Sequence, residues 1–424
     1  MPWHCCVKFK LMKKVSYRIS FLPVLIIFSF FISCVSCGKK SEGTITDVGA
    51  VVTPPVVTQP IVTPPAGPIV NVGDGKNPVT IDGKVTTYAA GTTIIVKAGT
   101  YLAGVTIQNL SGVTVDGTGV ILEGNLPGNN GYYNCLNLTN LTNVVISNFT
   151  TQNNGYRMVN INSRMVGLTL DHLTFTNCAQ GISISGGPNL IWDKTDNTVN
   201  LLNFSITNCV FTNCGETNLG GGVGNGQVNN LVKNLVISGN TYTGGDPADL
   251  VQCNAVDGFQ IFNNVISNIN PNSTLDNRLF MMSGNGDAYN NKFTNYEGHA
   301  IGIWPITFGT TPKTCHIHNN TCIGSSRYAA FEMQEFASYA IPGVTTYADL
   351  IVDSNIAGNL NTSKWTGYPA TFIDNYQFGL MGCHTTVTNN VGYNWFPVPA
   401  PNVFWNLASP TTFSGNTYTA SAPQ

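Results

Sequence analysis

Charge is scarce in this 424-residue sequence. Nineteen Lys and Arg stand against 21 Asp and Glu, the formal net charge is −2, and charged residues make up 9% of the chain. Binding to nucleic acid requires a stripe of positive charge, and the sequence has none, so we expect no nucleic-acid partner. Hydrophobic residues still reach 42%, which excludes a chain that is disordered throughout.

Motifs for phosphate and structural metal sites are also missing. The glycine run Gly220–Gly222 lies in no strand-then-helix context, and no CxxC pair occurs after residue 68. Cys178 and Cys214 both end the phrase FTNC, so in a repeat they should stack, either bonded or simply buried. We favour burial for the cysteines of this region, since cysteine is commonly buried in β cores. They are Cys135, Cys178, Cys209, Cys214, Cys253, Cys315, Cys322 and Cys383.

The first 37 residues have the features of a targeting segment. Basic residues precede the apolar run ISFLPVLIIFSFFIS, which is short for a membrane-spanning helix, and the run ends in SCVSCGKK. The segment resembles a bacterial lipoprotein signal, which implies lipidation of Cys37. It departs from that pattern because Cys34 stands where Leu is usual. An uncleaved N-terminal anchor is the alternative.

A proline-rich linker follows, in residues 38–68. The phrase VVTPPVVTQPIVTPPAGP favours extended polyproline II and predicts a semi-rigid spacer. We therefore predict an exported protein, held at the cell surface or in the periplasm by a lipid on Cys37, with a folded domain from residue 69 to 424. We expect that domain to be a monomer.

A short phrase recurs along the folded region. It consists of an apolar residue, a variable residue, then Asn, Gly or Ser, usually followed by Asn, with steps of 24 to 36 residues. A fixed minimum with a variable excess is typical of a solenoid in which loops are inserted into a minimal coil. The phrases start at Ile146, Leu170, Ile206, Ile237, Ile261, Ala288, Ile317, Val352, Val387 and Phe413.

The chemistry of asparagine explains the phrase. Asn tolerates the left-handed backbone conformation of a sharp corner, and identical Asn side chains on stacked coils can hydrogen-bond to one another. Flanking segments such as GVTIQNLSGVTVDG alternate apolar and polar residues, as half-buried strands do. The pair Asn263–Asn264 is thus interpreted as one corner, and Asn240, Asn264, Asn291 and Asn320 should form a column.

This pattern resembles the right-handed parallel β-helix of the pectate-lyase-like superfamily, over about residues 69–424. The resemblance implies an all-β, single-stranded solenoid, and it covers the architecture and its corners without any specific catalytic motif. No N-terminal capping helix is evident, so TTIIVKAGTY, GVTIQN and GVTVDGTGVILEG should form the first coils.

Ionisable residues concentrate on one strand of four consecutive predicted coils: ADLVQC, NRLFMMSG, HAIGIWP and YAAFEMQEF. The resemblance implies a groove for an extended, acidic polysaccharide, cleaved by β-elimination. Such a reaction needs a cation beside the uronate carboxylate and a base for the C5 proton. We predict Arg278 and Arg327 for neutralisation and His299 or an arginine as base.

Other candidates follow from the same alignment. Asp249 and Glu332 could instead serve as the carboxyl pair of a glycoside hydrolase. Asp246 and Asp249 could hold Ca²⁺, which is the one cofactor that the sequence suggests. Trp304, Glu297, Gln252 and Gln334 are predicted to contact substrate. A non-catalytic glycan-binding or adhesive protein is a further alternative, with an aromatic stripe that would include Trp365, Tyr368 and Trp395.

Structural interpretations remain open for these residues. Arg278 and Asp276 could form a loop-anchoring ion pair, His299 could be a corner histidine, and Glu332 and Glu335 could be solvated strand residues. His316 and His318 have a spacing that could bind metal, but no third ligand is visible. His172 replaces a corner Asn and is expected to be structural.

Overall fold

A computed structural model of the protein describes residues 67–422. Gaps occur at 103, 125–133, 185–199, 225, 248, 273–276, 368–369, 377–378, 380, 396–403 and 406–408. The predicted signal segment, Cys37, most of the linker, Asp276 and Tyr368 lie outside the described residues. No helix among the described residues is long and apolar enough to cross a membrane.

Thirty-three strands and one short 3-10 turn, Ala337–Tyr339, make up the regular structure of the described residues. The strands of the N-terminal half are β1 (Ile69–Val72), β2 (Val79–Asp82), β3 (Thr93–Val96), β4 (Gly99–Tyr101), β5 (Val105–Gln108), β6 (Thr114–Asp116), β7 (Val120–Glu123), β8 (Leu136–Thr139), β9 (Thr142–Ser147), β10 (Thr150–Ile161), β11 (Met165–Asp171), β12 (Thr174–Ile184), β13 (Leu201–Thr207), β14 (Val210–Asn218), β15 (Gly222–Gly224), β16 (Gln227–Asn229) and β17 (Val232–Ser238). Those of the C-terminal half are β18 (Thr241–Thr243), β19 (Val251–Phe262), β20 (Val265–Ile269), β21 (Arg278–Tyr289), β22 (Lys292–Tyr296), β23 (His299–Phe308), β24 (Lys313–His318), β25 (Thr321–Ser325), β26 (Ala329–Gln334), β27 (Thr345–Asp353), β28 (Ile356–Gly358), β29 (Thr371–Tyr376), β30 (Thr385–Thr388), β31 (Val391–Tyr393), β32 (Thr412–Ser414) and β33 (Thr417–Thr419).

Parallel pairing sorts these strands, apart from the β15–β16 hairpin, into three faces, and every coil from β2 to β31 contributes to all three. The ladder face is β1, β3, β6, β9, β11, β13, β17, β19, β21, β24, β27, β30 and β32. The second face is β4, β7, β10, β12, β14, β18, β20, β22, β25, β28, β31 and β33. The site face is β2, β5, β8, β10, β12, β14, β19, β21, β23, β26 and β29, with the long strands bending from one face to the next. The architecture is a right-handed parallel β-helix, as predicted.

The repeated phrase predicted the strand register correctly. Ile237 pairs with Ile206 and with Ile261, Ile261 pairs with Ala288, and Ala288 pairs with Ile317. The same match continues through all ten phrases, from Ile146 to Phe413. The predicted first coils are also present, in β3 to β7.

From β9 onward, each corner between the ladder face and the second face uses two residues with different roles. The first adopts the left-handed conformation, with φ of 56° at Asn263 and 51° at His172, which confirms the structural interpretation of that histidine. The second is buried. From Asn240 onward it is asparagine, and the side chains form the predicted column: Asn240, Asn264, Asn291, Asn320, Asn355, Asn390 and Asn416.

The column is a continuous hydrogen-bonded ladder. The Oδ1 of Asn291 accepts from the backbone N–H of Asn264 at 3.1 Å and from its Nδ2 at 2.8 Å. The Nδ2 of Asn291 donates onward to Asn320 Oδ1 and back to the carbonyl of Ile261, both at 2.9 Å. In the earlier coils Phe149, Leu173 and Cys209 occupy the equivalent, fully buried position.

The interior is filled by stacked apolar side chains from successive coils. Phe175, Phe211 and Tyr242 stack with ring centroids 4.5 Å apart. Cys178 pairs in register with Cys214, and all eight cysteines of the described residues are free and buried, which confirms burial over bonding.

A smaller apolar cluster, here called the cover, lies outside the main core at the edge of the site face. It joins the antiparallel hairpin of β15 and β16 to the end of β23, which pairs antiparallel with the start of β27. Its members are Val223, Val228, Leu231, Ala255, Ile306, Phe308 and Ile341, with Trp304, Tyr339 and Val344 packed against them.

Candidate functional site

The site face carries a column of outward-facing polar residues, here called the polar column. Register pairing aligns Asn137 with Asn160, Asn160 with Ser183, and Ser183 with Asn218. Gln252 continues this column after Asn218. Met281 and Gly302 interrupt the column for two coils, and Glu332 and Asp374 then resume it. At about 4.8 Å per coil, the eight steps span about 38 Å.

An arginine–glutamate pair crosses the gap in the polar column. Arg278 starts β21, and its guanidinium reaches over the next coil to Glu332 on β26. Its Nη2 donates to Glu332 Oε1 at 2.6 Å and its Nε to Oε2. The coil between them passes beneath at Gly302, where an added Cβ would lie 2.5 Å from Arg278 Cγ. The glycine therefore makes room for the bridge, which brings together Arg278 and Glu332, two residues that were predicted separately as catalytic.

Asp249 lies at the start of the same region. It precedes β19, and its Oδ1 accepts the backbone N–H of Arg278 at 3.0 Å, which ties two coils together. Burial raises the pKa of Asp249 above its usual 3.8, and the nearby Glu332 charge adds to that shift, while Arg278 opposes it. The carboxyl group is thus held beside an arginine but in a partly dry environment.

A second carboxyl group, that of Glu216, lies near Asp249. It lies on β14, and burial raises its pKa above the usual 4.5, with the charge of Asp249 as the next cause. Asn218 Nδ2 donates to Glu216 Oε1 at 2.9 Å and to Gln252 Oε1 at 3.1 Å, so Glu216 is linked to the polar column. Glu216 and Asp249 are thus two half-buried carboxyl groups on neighbouring coils, and the charge of Asp249 makes ionisation of Glu216 harder.

Arg157 lies further along the same face, toward the N-terminus. Its Nε donates to Gln180 Oε1 at 3.1 Å, and Gln180 pairs in register with Glu216. Its guanidinium also lies 4.6 Å from the ring centroid of Tyr156. A second line of polar side chains therefore runs beside the polar column.

Two predicted catalytic residues are placed differently from Arg278. His299 pairs in register with Arg278 but is fully buried, with its ring edge-on to Tyr328 at 5.6 Å. Arg327 is 6% exposed, and its guanidinium lies 4.1 Å from the ring centroid of Trp365 and 5.3 Å from that of Tyr328. Both side chains pack inside the corner that leads into the site face, away from the polar column.

Glu297 was predicted to contact substrate, but the structure gives it a supporting position. It is fully buried, and its Oε1 accepts from Asn277 Nδ2 at 2.8 Å while Oε2 accepts from Asn270 Nδ2 at 3.1 Å. Asn270 also donates to Asp246 at 2.6 Å. These bonds hold the two ends of the loop between β20 and β21.

The calcium hypothesis for Asp246 and Asp249 finds no support in this arrangement. Asp246 is exposed and bonded to Asn270, whereas Asp249 is bonded to the backbone of Arg278. Among the described residues, no group of three or more His, Cys, Asp or Glu side chains could hold a metal ion. His316 and His318 stack with centroids 4.1 Å apart on the ladder face, away from the site face.

The remaining predicted contacts do lie on the site face. Gln252 is half-buried in the polar column, and Gln334 on β26 donates to Glu332 Oε1. Trp304 is half-buried and packs against Phe336, with centroids 6.2 Å apart. Glu335, in contrast, is a loop anchor, since it accepts the backbone N–H groups of Gly379, Met381 and Cys383.

Two residues of the cluster escaped the sequence analysis. Glu216 lies ten residues after Ile206, the same offset that drew attention to Arg327 after Ile317, so counting from one coil earlier would have found it. Asp374 pairs in register with Glu332 and accepts from the Tyr328 hydroxyl. The long connection after β28 shifts its offset to 22 residues from Val352 and hides the match.

No protein-family model and no curated protein sequence matches the chain. Solved structures of similar fold include the A-module of the Azotobacter vinelandii mannuronan C-5 epimerase AlgE6, at 11% identity and a TM-score of 0.42, covering 84% of this chain and 92% of that one. An exopolygalacturonase from Thermotoga maritima has 11% identity and a TM-score of 0.44, with 77% and 84% covered. The Streptococcus pneumoniae surface protein and adhesin PfbA has 9% identity and a TM-score of 0.32, with 82% and 91% covered. At these identities the similarity concerns the coiled backbone alone.

Proposed function

We propose that the protein binds an extended polysaccharide along the polar column and hydrolyses it with the carboxyl pair Glu216 and Asp249. The observation that carries the proposal is this pair: two half-buried carboxyl groups, both with raised pKa, beside the middle of the polar column. Carboxyl groups with a shifted pKa beside a polar binding surface are common in acid–base catalysis.

The composition of the polar column supports a sugar ligand. From Asn137 to Gln252 its members are amides and one hydroxyl, which both donate and accept hydrogen bonds. Sugar hydroxyl groups need both functions, and a straight column about 19 Å long over these four steps suits an extended chain. The protein thus offers a repeating set of neutral contacts, one on each coil.

The charge balance supports a neutral sugar chain better than a polyuronate. The charged residues described along the polar column are four acidic ones, Glu216, Asp249, Glu332 and Asp374, and two basic ones, Arg157 and Arg278. Arg278 is already engaged by Glu332. A polyanion would therefore meet an excess of negative charge, which disfavours its approach.

Hydrolysis also fits the geometry better than the β-elimination predicted from the sequence. Cleavage of a glycosidic bond needs one carboxylic acid to protonate the leaving oxygen and a second carboxylate to act on the sugar or on water. Asp249, held by the Arg278 backbone, is the proposed acid, and Glu216 the proposed base or nucleophile. Elimination would need an accessible base and a free cation, whereas His299 and Arg327 are buried in the corner.

The test is an activity screen on neutral and acidic polysaccharides with two readouts. New reducing ends without a rise in ultraviolet absorbance indicate hydrolysis, and an absorbance rise from an unsaturated product indicates elimination. Asp249→Asn and Glu216→Gln should each lower the rate by about 10²-fold or more, while the exposed Asp246→Asn serves as matched control. Full activity in both variants would refute the assignment, and unsaturated products would replace hydrolysis by elimination.

A non-catalytic glycan-binding protein is the second candidate. It is favoured by the length of the polar column, which extends three coils beyond Glu216 toward the N-terminus without an acidic member. Binding without turnover of any polysaccharide in the screen, unaffected by Asp249→Asn, would select this alternative.

The N-terminal segment supports a tether for either activity. We propose export and lipidation at Cys37, with the proline-rich linker as a spacer. In a bacterial host, Cys37→Ser should move the protein from the membrane fraction to the soluble fraction. Unchanged membrane association of that variant would argue for an uncleaved anchor.

A further inference from the structure

A further row of polar residues lies beside the polar column, distinct from the line of Arg157, Gln180 and Glu216, and each of its members has a buried polar atom without a partner among the described residues. Asn254, Ser283 and Trp304 lie two residues beyond Gln252, Met281 and Gly302, and therefore on the same outward side of the site face. We call these three residues the strip.

The strip is buried and unsatisfied. Within the described part of the chain, no hydrogen-bond partner is found for Asn254 Oδ1, Ser283 Oγ or Trp304 Nε1, and all three atoms are inaccessible to solvent. Ser283 is fully buried as a whole residue. A buried polar atom without a partner costs stability, and here three such atoms lie on neighbouring coils.

The local backbone is shaped to present the strip. Cys253 pairs with Met282 and Val256 with Gly284, so β19 has one extra residue where Asn254 and Ala255 lie opposite Ser283. Such a bulge redirects side chains, and bulges are enriched beside functional sites. The chain before β15 lies directly on this bulge, because a Cβ at Gly221, where φ is +91°, would come within 2.8 Å of the Ala255 nitrogen.

The cover lies over the strip and is apolar. Trp304 packs against it, and Ala255 belongs to it. Apolar side chains such as Val223 and Ile341 cannot bond the three polar atoms, although Asn254 and Trp304 are each partly exposed at its margin. The three polar atoms thus lie beside an apolar cluster that cannot satisfy them.

We infer that the strip is a sugar-binding subsite, parallel to the polar column and occupied when the polysaccharide is bound. This inference rests on the proposed function. The strip offers an acceptor at Asn254, a group of either kind at Ser283 and a donor at Trp304, spaced by about one coil, or 4.8 Å. Sugar hydroxyl groups match that order because each donates and accepts. Binding therefore includes displacement of part of the cover.

The experiment exploits opposite effects on stability and affinity. Ser283→Ala removes only the unpartnered hydroxyl, so thermal unfolding should be unchanged or shifted upward. Trp304→Phe removes the unpartnered Nε1 together with part of the indole ring, which packs against Phe336, so it should lower the unfolding temperature less than Trp395→Phe does. Each variant should bind xylan, galactan, mannan or β-glucan with an affinity lower by about five- to tenfold, which is the effect of one lost hydrogen bond. The affinity is measured from the retardation of the protein in native gels that contain the polysaccharide. Trp395→Phe is the matched control, because its Nε1 donates to the carbonyl of Ala357 at 3.4 Å. It should lower the unfolding temperature and leave retardation unchanged.

Different failures have different meanings. If no gel retards the wild type, the proposed function and the strip assignment both fall. If the wild type is retarded and Gln252→Ala weakens retardation, but Ser283→Ala and Trp304→Phe do not, only the strip assignment falls. Destabilisation of Ser283→Ala as large as that of Trp395→Phe would also overturn it, because the hydroxyl would then have a structural partner. Ser267→Ala, on the second face, controls for loss of a hydroxyl elsewhere.

Discussion

Replacing Asn291 by alanine tests the ladder that holds the corners together. Its side chain takes part in four hydrogen bonds, two with Asn264, one with Asn320 and one with Ile261. Alanine leaves the buried N–H of Asn264 without this acceptor, at about 1–3 kcal/mol, and removes three more bonds worth about 0.5–1.5 kcal/mol each. We expect a loss of about 4 kcal/mol in the free energy of unfolding, with about 2.5 kcal/mol as the lower bound.

The neighbouring residue provides a matched control. Asn290 has φ of 55° and occupies the outer position of the same corner. Asn290→Gly keeps that conformation accessible, so its effect should stay within about 0.5 kcal/mol. Guanidinium unfolding followed by circular dichroism compares the two variants, and hydrogen exchange at Asn264 and Asn320 reads the local effect that a solenoid should show. Equal unfolding midpoints for the two variants would refute the assignment of the ladder as a main source of stability.

Three further predictions concern the site face and the ladder face. Gly302→Ala should cost about 1–3 kcal/mol and release Arg278 from Glu332, because the added Cβ meets Arg278 Cγ at 2.5 Å; Gly222→Ala, with open space around it, is the control for thermal unfolding. Burial raises the pKa of Asp249, so its contribution to stability is fully present below about pH 3.8 and is lost as the pH rises through the folded pKa. Asp249→Asn should therefore gain stability relative to wild type as the pH rises above about 3.8, and a pH-independent difference in unfolding midpoints would contradict this. Burial and the neighbouring His316 lower the pKa of His318 to about 4, so its contribution is present above about pH 6.5 and is lost as the pH falls toward 4. His318→Phe keeps the stack on Tyr289 and should resist acid better over that range, whereas parallel pH profiles for variant and wild type would count against the prediction.

The fold was predictable from the sequence because its corners have a local cause. A residue that must adopt the left-handed conformation is restricted to few types, so Asn263, Asn290 and Asn319 mark the corners directly. The spacing of those marks then aligns the strands, and Ile261 and Ala288 pair as the phrases indicated. Loops of different length between corners do not disturb this count, since each corner restarts it.

The site was only partly predictable, because strand position does not determine burial. His299 has the same register position as Arg278, yet one is buried in the corner and the other reaches Glu332. The difference depends on packing with Tyr328 and on the space above Gly302, which involve residues from other coils. Sequence offsets place a residue along a strand, but they do not show what lies across it.

The change of corner residue at Asn240 divides the solenoid into two parts whose corners are held by different forces. In the earlier coils the inner corner position is filled by Phe149, Leu173 and Cys209, whose contribution comes from burial of apolar surface. Such burial weakens on cooling, whereas a chain of amide hydrogen bonds does not depend on the hydration of apolar groups in that way. Cold should therefore loosen the corners of the N-terminal coils first, while the hydrogen-bonded asparagine ladder of the later coils should stay intact.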